Sequence, residues 1–263
     1  MSKISVCILA YNEEAKIKPA IESVKWADEI VVVDSYSTDN TRSMSEGLGA
    51  KVVDVSFKGF GKLRNEAISA CKYEWIFSLD ADERCTDKAA SEIRMIIRSH
   101  DPYDAYYVPR QNWFMGRLIR YSGWYPDYRQ PQLFRRGALK FSEEDEVHEG
   151  YQVTGRTGYM KNPIYQIPFR NFEQLLQKAN RYSSLGAQKL ERRSVKTGMP
   201  KALAHGLGAF LNTYFIKLGF MDGWAGFVIA LGNFEGTFYR YAKFFEKLSG
   251  WDRQPEGLEH KIE

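Results

Sequence analysis

Trp75-Ile76-Phe77-Ser78-Leu79-Asp80-Ala81-Asp82-Glu83-Arg84 is an apolar run that ends in acids, and its reading decides the fold. Residues 75–82 read as a buried strand. On an extended backbone successive side chains alternate, so Asp80 and Asp82 are expected on one face and Leu79 and Ala81 on the other. Two adjacent carboxylates repel each other unless a cation lies between them. A hard divalent ion such as Mg²⁺ or Mn²⁺ takes oxygen ligands and shares them with substrate phosphates. An Asp-x-Asp alone is weak evidence of metal and is more often a solvated strand end, so the surrounding chain has to decide.

Outward from this stretch, short β-branched runs alternate with helical patterns, the signature of βαβ units around a mostly parallel sheet flanked by helices. Ile4–Ala10 reads as the first strand and Asn12 as the cap of the helix that follows. Glu29–Asp34 is the second strand, followed by the polar loop Ser35-Tyr36-Ser37-Thr38-Asp39-Asn40 and a short helix over Thr41–Gly47. A third strand is expected over 51–56 and helices over 62–71 and Asp87–Arg98. In an open parallel sheet, ligands bind beyond the carboxyl ends of the strands. Tyr11, Asn12, Glu13, Asp34, Ser37, Asp39, Asp80 and Asp82 all fall at such ends. Loop polarity explains each of them singly but not their shared position.

Beyond residue 100 the pattern changes. A strand over 106–110 leads into the aromatic stretch 112–128, which suits either sugar faces or packing. A further strand over 132–136 carries Arg135 and Arg136. Residues 141–149 then hold five acids and a histidine, with His148-Glu149 placed where a strand could aim them at the cleft. Three helices are expected from 172, from Pro200 and from Asp222. They are too short in uncharged length to span a bilayer. Rich in Trp, Tyr and Phe and flanked by Lys and Arg, they suit a membrane surface, packing on the sheet, or a dimer.

The 263 residues, 44% apolar and 14% aromatic, suffice for a real core and exclude disorder as the default. The N-terminal apolar run is too short for a secretory signal. Three scattered cysteines, Cys7, Cys71 and Cys85, argue for reduced thiols in the cytoplasm. Net charge is +4, yet 161–201 carries nine Lys/Arg against two acids, a local +7 that leaves the remainder at −3. Such asymmetry points to an anionic partner at one end of the molecule, and no nucleic acid is expected.

Ala10-Tyr11-Asn12-Glu13-Glu14, Val33-Asp34-Ser35-Tyr36-Ser37-Thr38-Asp39, Gly61-Lys62-Leu63-Arg64-Asn65 and Leu79-Asp80-Ala81-Asp82-Glu83 together resemble the ordered signature of family 2 glycosyltransferases of the GT-A fold. Gly123-Trp124-Tyr125-Pro126-Asp127, Leu133-Phe134-Arg135-Arg136 and Val147-His148-Glu149 are similar to bacterial lipopolysaccharide core β-glucosyltransferases of the WaaE type. The resemblance implies a GT-A (Rossmann-like) α/β domain over 1–168, with a nucleotide-sugar half (1–100) and an acceptor half (101–168), followed by an amphipathic helical extension over 169–263. It implies inverting transfer of a hexose, glucose above all, from a nucleoside diphosphate sugar such as UDP-glucose. The acceptor would be a lipid A-core or other lipid-linked glycan on the cytoplasmic face of the inner membrane, and a homo-oligomer is possible.

The same resemblance implies residue roles. Asp34 would accept from the nucleobase, with Ala10 and Tyr11 to Glu13 lining base and ribose. Arg64 would sit by the nucleotide and Ala81 within the donor site. Asp82 would hold Mg²⁺ or Mn²⁺, with Asp80 on the ribose or assisting the metal. The base is expected among Glu149, Asp127 and Glu146, in that order. His148 would orient a carboxylate or meet a phosphate, and Arg135 and Arg136 would meet the diphosphate or an anionic acceptor. Competing readings are a sugar nucleotidyltransferase, a phosphotransferase with Asp80 as nucleophile, and a non-catalytic membrane-surface scaffold. The first wants a glycine-rich loop after strand one, where Ala10-Tyr11-Asn12-Glu13 has no glycine.

Overall fold

The computed structural model describes residues 2–99, 103–143, 150–169, 171–193, 195 and 197–250. The chain forms two compact units, one of Met1–Trp113 with Tyr125–Pro168, the other of Phe114–Trp124 with Phe169–Glu263. Residues 114–124, expected in the acceptor half, thus belong by their contacts to the helical unit.

The first unit runs β1 (Ile4–Ala10), α1 (Glu14–Glu22), β2 (Glu29–Asp34), α2 (Thr41–Gly47), β3 (Lys51–Asp54), α3 (Phe60–Ala70), β4 (Trp75–Asp80), β5 (Glu83–Arg84) and α4 (Asp87–Arg98). There follow β6 (Ala105–Tyr107), β7 (Arg110–Phe114), β8 (Arg117–Leu118), β9 (Pro131–Arg135), β10 (Leu139–Phe141), β11 (Tyr151–Val153), β12 (Thr157–Tyr159) and β13 (Ile164–Gln166). Of these, β8 and the end of β7 lie in the segment that joins the second unit.

Among the described residues the main sheet has the order β12-β6-β9-β4-β1-β2-β3. Strands β1 to β4 are mutually parallel where they pair, and β9 runs antiparallel to β4. Both faces are covered. Ile4, Val6 and Ile8 point into one apolar cluster with Ile17, Ile21 and Ile93, while Cys7 points into the other with Leu63, Ala67 and Phe134. This period-two split is why β1 reads as a continuous apolar run, as buried parallel strands do. All three cysteines are free and buried. Burial pushes the Cys85 thiol up to about 12, which makes it an inert filler.

Two expectations are corrected here. The β4 strand stops at Asp80, and Ala81 and Asp82 form a turn before β5. The Asp80 amide donates to the Glu83 side chain at 2.9 Å, closing that turn, so the alternation rule does not apply to the two aspartates. Asn12 does not cap α1 either. It sits at φ 53°, and its Oδ1 accepts from the Thr38 amide at 2.8 Å. The N-terminal amides of α1 are capped from the neighbouring loop instead: Glu13 donates to Thr41 Oγ1 and Glu14 to Asp39 Oδ2.

The second unit holds α5 (Phe172–Arg192), α6 (Met199–Leu211) and α7 (Gly223–Ser249). A π-helical turn over Asn212–Ile216 continues α6, and a 3₁₀ turn over Gly219–Asp222 leads into α7. α6 and α7 fold back on each other through small residues. A Cβ on Gly206 would stand 3.0 Å from the Phe234 ring, and Asn233 Nδ2 donates to Thr213 Oγ1 at 2.9 Å. His205 stacks on Tyr241 at 4.4 Å. Lys243 ties α7 to α5 by donating to the Asn180 carbonyl and side chain and to Ser183 and Ser184. No single helix among the described residues is long and apolar enough to cross a membrane, and one bent pair, α6 with its π turn and the stretch through α7, passes that test jointly at 70°.

Candidate active site

The carboxyl ends of β1, β2 and β4 lie side by side, since Ala10 pairs with Asp34 and Leu9 with Asp80. The loops after β1 and β2 are sewn together: the Asn12 amide donates to Ser37 Oγ, and the Ser35 amide to the Ala10 carbonyl. Both loops hold a non-glycine residue at positive φ, Asn12 at 53° and Tyr36 at 60°, a conformation that costs energy unless its surroundings fix it. Tyr11 and Tyr36 are 60% and 59% exposed, two aromatic rings standing open on adjacent loops.

Asp34 is only 1% exposed, and both its oxygens accept from Ser37, one from the amide and one from the hydroxyl. In this conformation it fastens the loop. Arg64 is also engaged. Its Nη1 donates to Asp80 Oδ1 at 3.2 Å, and its guanidinium lies over the Phe141 ring. Burial pushes the Asp80 carboxyl up, but Arg64, Arg110 and Arg129 outweigh it and hold the group below the usual range. Asp80 is therefore a paired carboxylate turned toward Arg64.

Asp82 is the opposite case. Its Oδ2 accepts from Gln166 Nε2 at 3.2 Å. Burial, then the charges of Asp80 and Glu83, push its carboxyl up to about 7. Among the described residues no group of three His, Cys, Asp or Glu side chains stands ready to hold a metal on its own. One half-buried carboxylate in need of positive charge, beside a second acid, is a donor set that suits an ion completed by phosphate oxygens and water. The residues present fit Mg²⁺ or Mn²⁺ in that manner.

A buried network that the linear sequence conceals supports both aspartates. Glu83 on β5 and Arg110 on β7 are fully buried and paired through Oε1 and Nε. Glu83 Oε2 also accepts from the Asp80 amide and from Gln132 Nε2, each at 2.9 Å. Burial raises the Glu83 carboxyl against the pull of Arg110. Arg110 Nη1, Gln132 Oε1 and Gln166 Oε1 are buried without a hydrogen-bond partner. Four separate segments build this network. Only an acid directly after an Asp-x-Asp, and an arginine at the mouth of a strand, hinted at it.

Asp127 bridges to β7, its carbonyl accepting from the Arg110 amide, and its carboxylate pairs with Arg129 at 2.8 Å. Glu13 pairs with Lys16 at the start of α1, Ala10 is buried at the end of β1, and Ala81 is buried in the turn. Glu149, His148 and Glu146 lie outside the described residues.

Arg135 and Arg136 stand apart from the paired acids. β9 runs antiparallel to β4 with Arg135 opposite Trp75, the first residue of β4, so both arginines stand at the far end of the sheet from Asp80. Arg135 pairs with Glu74 at 2.5 Å and lies over the Trp75 ring, and Arg136 donates to the carbonyls of Ile68, Cys71 and Tyr73. They tie down the β4 entrance and do not face the acids.

The family profile of glycosyl transferase family 2 matches residues 5–160. The chain belongs to glycosyl transferase family 2. An uncharacterized glycosyltransferase of Rickettsia felis is 32% identical over 94% of this chain and 91% of that one. The lipopolysaccharide core biosynthesis glycosyltransferase LpsC of Rhizobium meliloti is 28% identical over 93% and 92%. Among solved structures, S. aureus TarS 1-349 has a TM-score of 0.49 at 18% identity, over 94% of this chain and 92% of that one. Glucosyl-3-phosphoglycerate synthase of Mycobacterium tuberculosis, crystallised with Mn²⁺, UDP-glucose and phosphoglyceric acid, has a TM-score of 0.37 at 23% identity over 42% and 44%. As a member of the family, this glycosyltransferase has the GT-A type of α/β fold and acts on a nucleotide sugar.

Proposed function

We propose that this glycosyltransferase moves a hexose, glucose from UDP-glucose in the first instance, onto a lipopolysaccharide core or other lipid-linked glycan with inversion. The observation that carries the donor half is the placement of Asp80 and Asp82 at the carboxyl end of β4, next to the loops after β1 and β2. The likeness to LpsC over most of both chains supports the acceptor class.

In this reading Tyr11 and Tyr36 offer flat faces to the nucleobase, and Asp34 holds their loops in place through Ser37. Arg64 keeps Asp80 ionised and oriented toward the ribose side. Asp82 would hold Mg²⁺ or Mn²⁺, which supplies positive charge to the departing diphosphate. Glu83 and Arg110 keep the turn that carries Asp82 in one shape. The acceptor hydroxyl needs a base on the sugar face opposite the leaving group. Glu149 is our first choice, with Asp127 and Glu146 behind it, and His148 as an orienting partner. The enzyme would work at the cytoplasmic face of the inner membrane.

The test is donor turnover with purified lipid-linked acceptor, with and without EDTA, in wild type, Asp82→Asn and Glu149→Gln. Loss of turnover with EDTA, restored by Mn²⁺, and loss in both variants is the expected result. Full activity of Asp82→Asn in EDTA would remove the metal role.

A further inference from the structure

The α6–α7 hairpin presents an apolar surface that its own packing leaves open. The small residues Ala202 and Gly206 are buried on α6, with Gly206 against the Phe234 ring of α7. Leu203, Leu207, Leu211 and Phe215 recur every fourth residue, share one helical face, and are each about half exposed. At the hairpin end Ile216 and Trp224 are 76% and 78% exposed.

The end is held in this shape by a buried acid. Asp222 is 1% exposed, and its carboxylate accepts from the Arg120 amide at 3.1 Å, the Tyr121 amide at 3.0 Å and Ser122 Oγ at 3.0 Å. Its carbonyl accepts from Arg117 Nη1 at 3.0 Å. The Ser122 amide donates to the Lys217 carbonyl across the same junction. Leu218 takes a left-handed φ of 55°, strained for a leucine, while its side chain stays exposed. A segment that only had to turn would carry glycine there.

The charges decide what covers this surface. Between Glu191 and Glu235 the sole acid is Asp222, which is buried within the hydrogen bonds just described. Arg117, Arg120 and Lys217 surround the hairpin end and are exposed, and the 114–124 segment contains no acid. Open leucine, isoleucine and tryptophan rimmed by cations match a bilayer interface with anionic headgroups: apolar side chains enter the acyl boundary, tryptophan sits at headgroup depth, and cations meet phosphate.

We propose that the exposed face of α6 and the 216–224 hairpin end form a monotopic membrane-binding surface for anionic phospholipid, with Asp222 as the internal fastener of its tip. The inference extends the lipid-linked acceptor reading, since such a surface would bring the enzyme to its acceptor. It is measured without donor or acceptor, so the two can fail separately.

The experiment is co-sedimentation of the full chain with vesicles of phosphatidylcholine alone or mixed with phosphatidylglycerol, at low and high salt. Wild type should bind the mixed vesicles more tightly, and salt should weaken that binding. Ile216→Glu and Leu207→Glu, both at exposed positions, should each weaken it about tenfold, from the burial of one large apolar side chain. Arg120→Glu with Lys217→Glu should weaken binding to the mixed vesicles and leave the weak binding to neutral ones unchanged. Melting curves and UDP binding in Mn²⁺ should match wild type in all of them. Absence of binding to either vesicle overturns the proposal, as does binding that none of these substitutions alters. A concentration-dependent dimer that Ile216→Glu dissolves, in protein that ignores vesicles, overturns it in favour of a second copy of the chain.

Discussion

Replacing Glu83 by glutamine tests whether a buried charge pair holds the turn that carries Asp82. Glu83 and Arg110 are both fully buried, and the glutamate serves Arg110, the Asp80 amide and Gln132 at once. Glutamine keeps an acceptor for the Asp80 amide but leaves the Arg110 guanidinium without its direct counter-charge. Breaking a buried pair from one side costs roughly 3–5 kcal/mol. Asp80 and Asp127 also act on Arg110, so the low end applies, about 3 kcal/mol. For a chain of this size that lowers the melting temperature by roughly 6–12 °C. Arg110→Met should cost a similar amount, because it strands Glu83 beside Asp80. The double variant Glu83→Gln/Arg110→Met should cost less than the two singles added, by about 2 kcal/mol. Urea unfolding of the four proteins measures this cycle, with donor turnover followed alongside and expected to drop in each single variant. Two singles that each cost under about 1 kcal/mol, and that add in the double, would refute the reasoning.

Asp82, raised from an ordinary 3.8 to about 7 by burial and two neighbouring acids, makes metal-free protein lose stability as pH climbs. The native state holds the proton more tightly than the unfolded chain, so the penalty is absent below about 4, grows through the interval and is complete above about 7, reaching roughly 2–4 kcal/mol. Melting temperatures of wild type and Asp82→Asn in EDTA should diverge over that range with the asparagine variant the more stable, and Mn²⁺ should stabilise wild type far more at pH 8 than at pH 5. Arg135→Ala and Arg136→Ala, at the far end of the sheet, should leave the KM for donor unchanged while lowering the melting temperature slightly, which steady-state kinetics and thermal melts resolve. Gly226→Ala places a Cβ 1.8 Å from the Gly219 carbonyl oxygen, a backbone atom that cannot swing away, and should cost roughly 1–3 kcal/mol in urea unfolding.

Much of the donor half was legible in the sequence because its signals are local. Apolar runs such as Ile4–Ala10 and Glu29–Asp34 can only be buried strands when helical patterns alternate with them, and the positions of Tyr11, Asp34 and Asp80 at strand ends follow from that alternation alone. The order of four short motifs then named the family.

What the sequence could not decide was where each polar atom spends its hydrogen bonds, because the partners come from distant segments. Asn12 reads as a helix cap by its neighbours, yet Thr38 takes its side chain. Asp80 and Asp82 read as twins on one strand, but Glu83 closes a turn between them, Arg64 pairs with one and burial isolates the other. Arg135 and Arg136 look exposed and available by pattern, and the antiparallel direction of β9 alone sends them to the wrong end. Composition and helical periodicity by themselves determined that the last helices carry large apolar faces. Only the tertiary structure decided which of those faces stay open, since burial depends on the small residues that let α6 and α7 close on their other side.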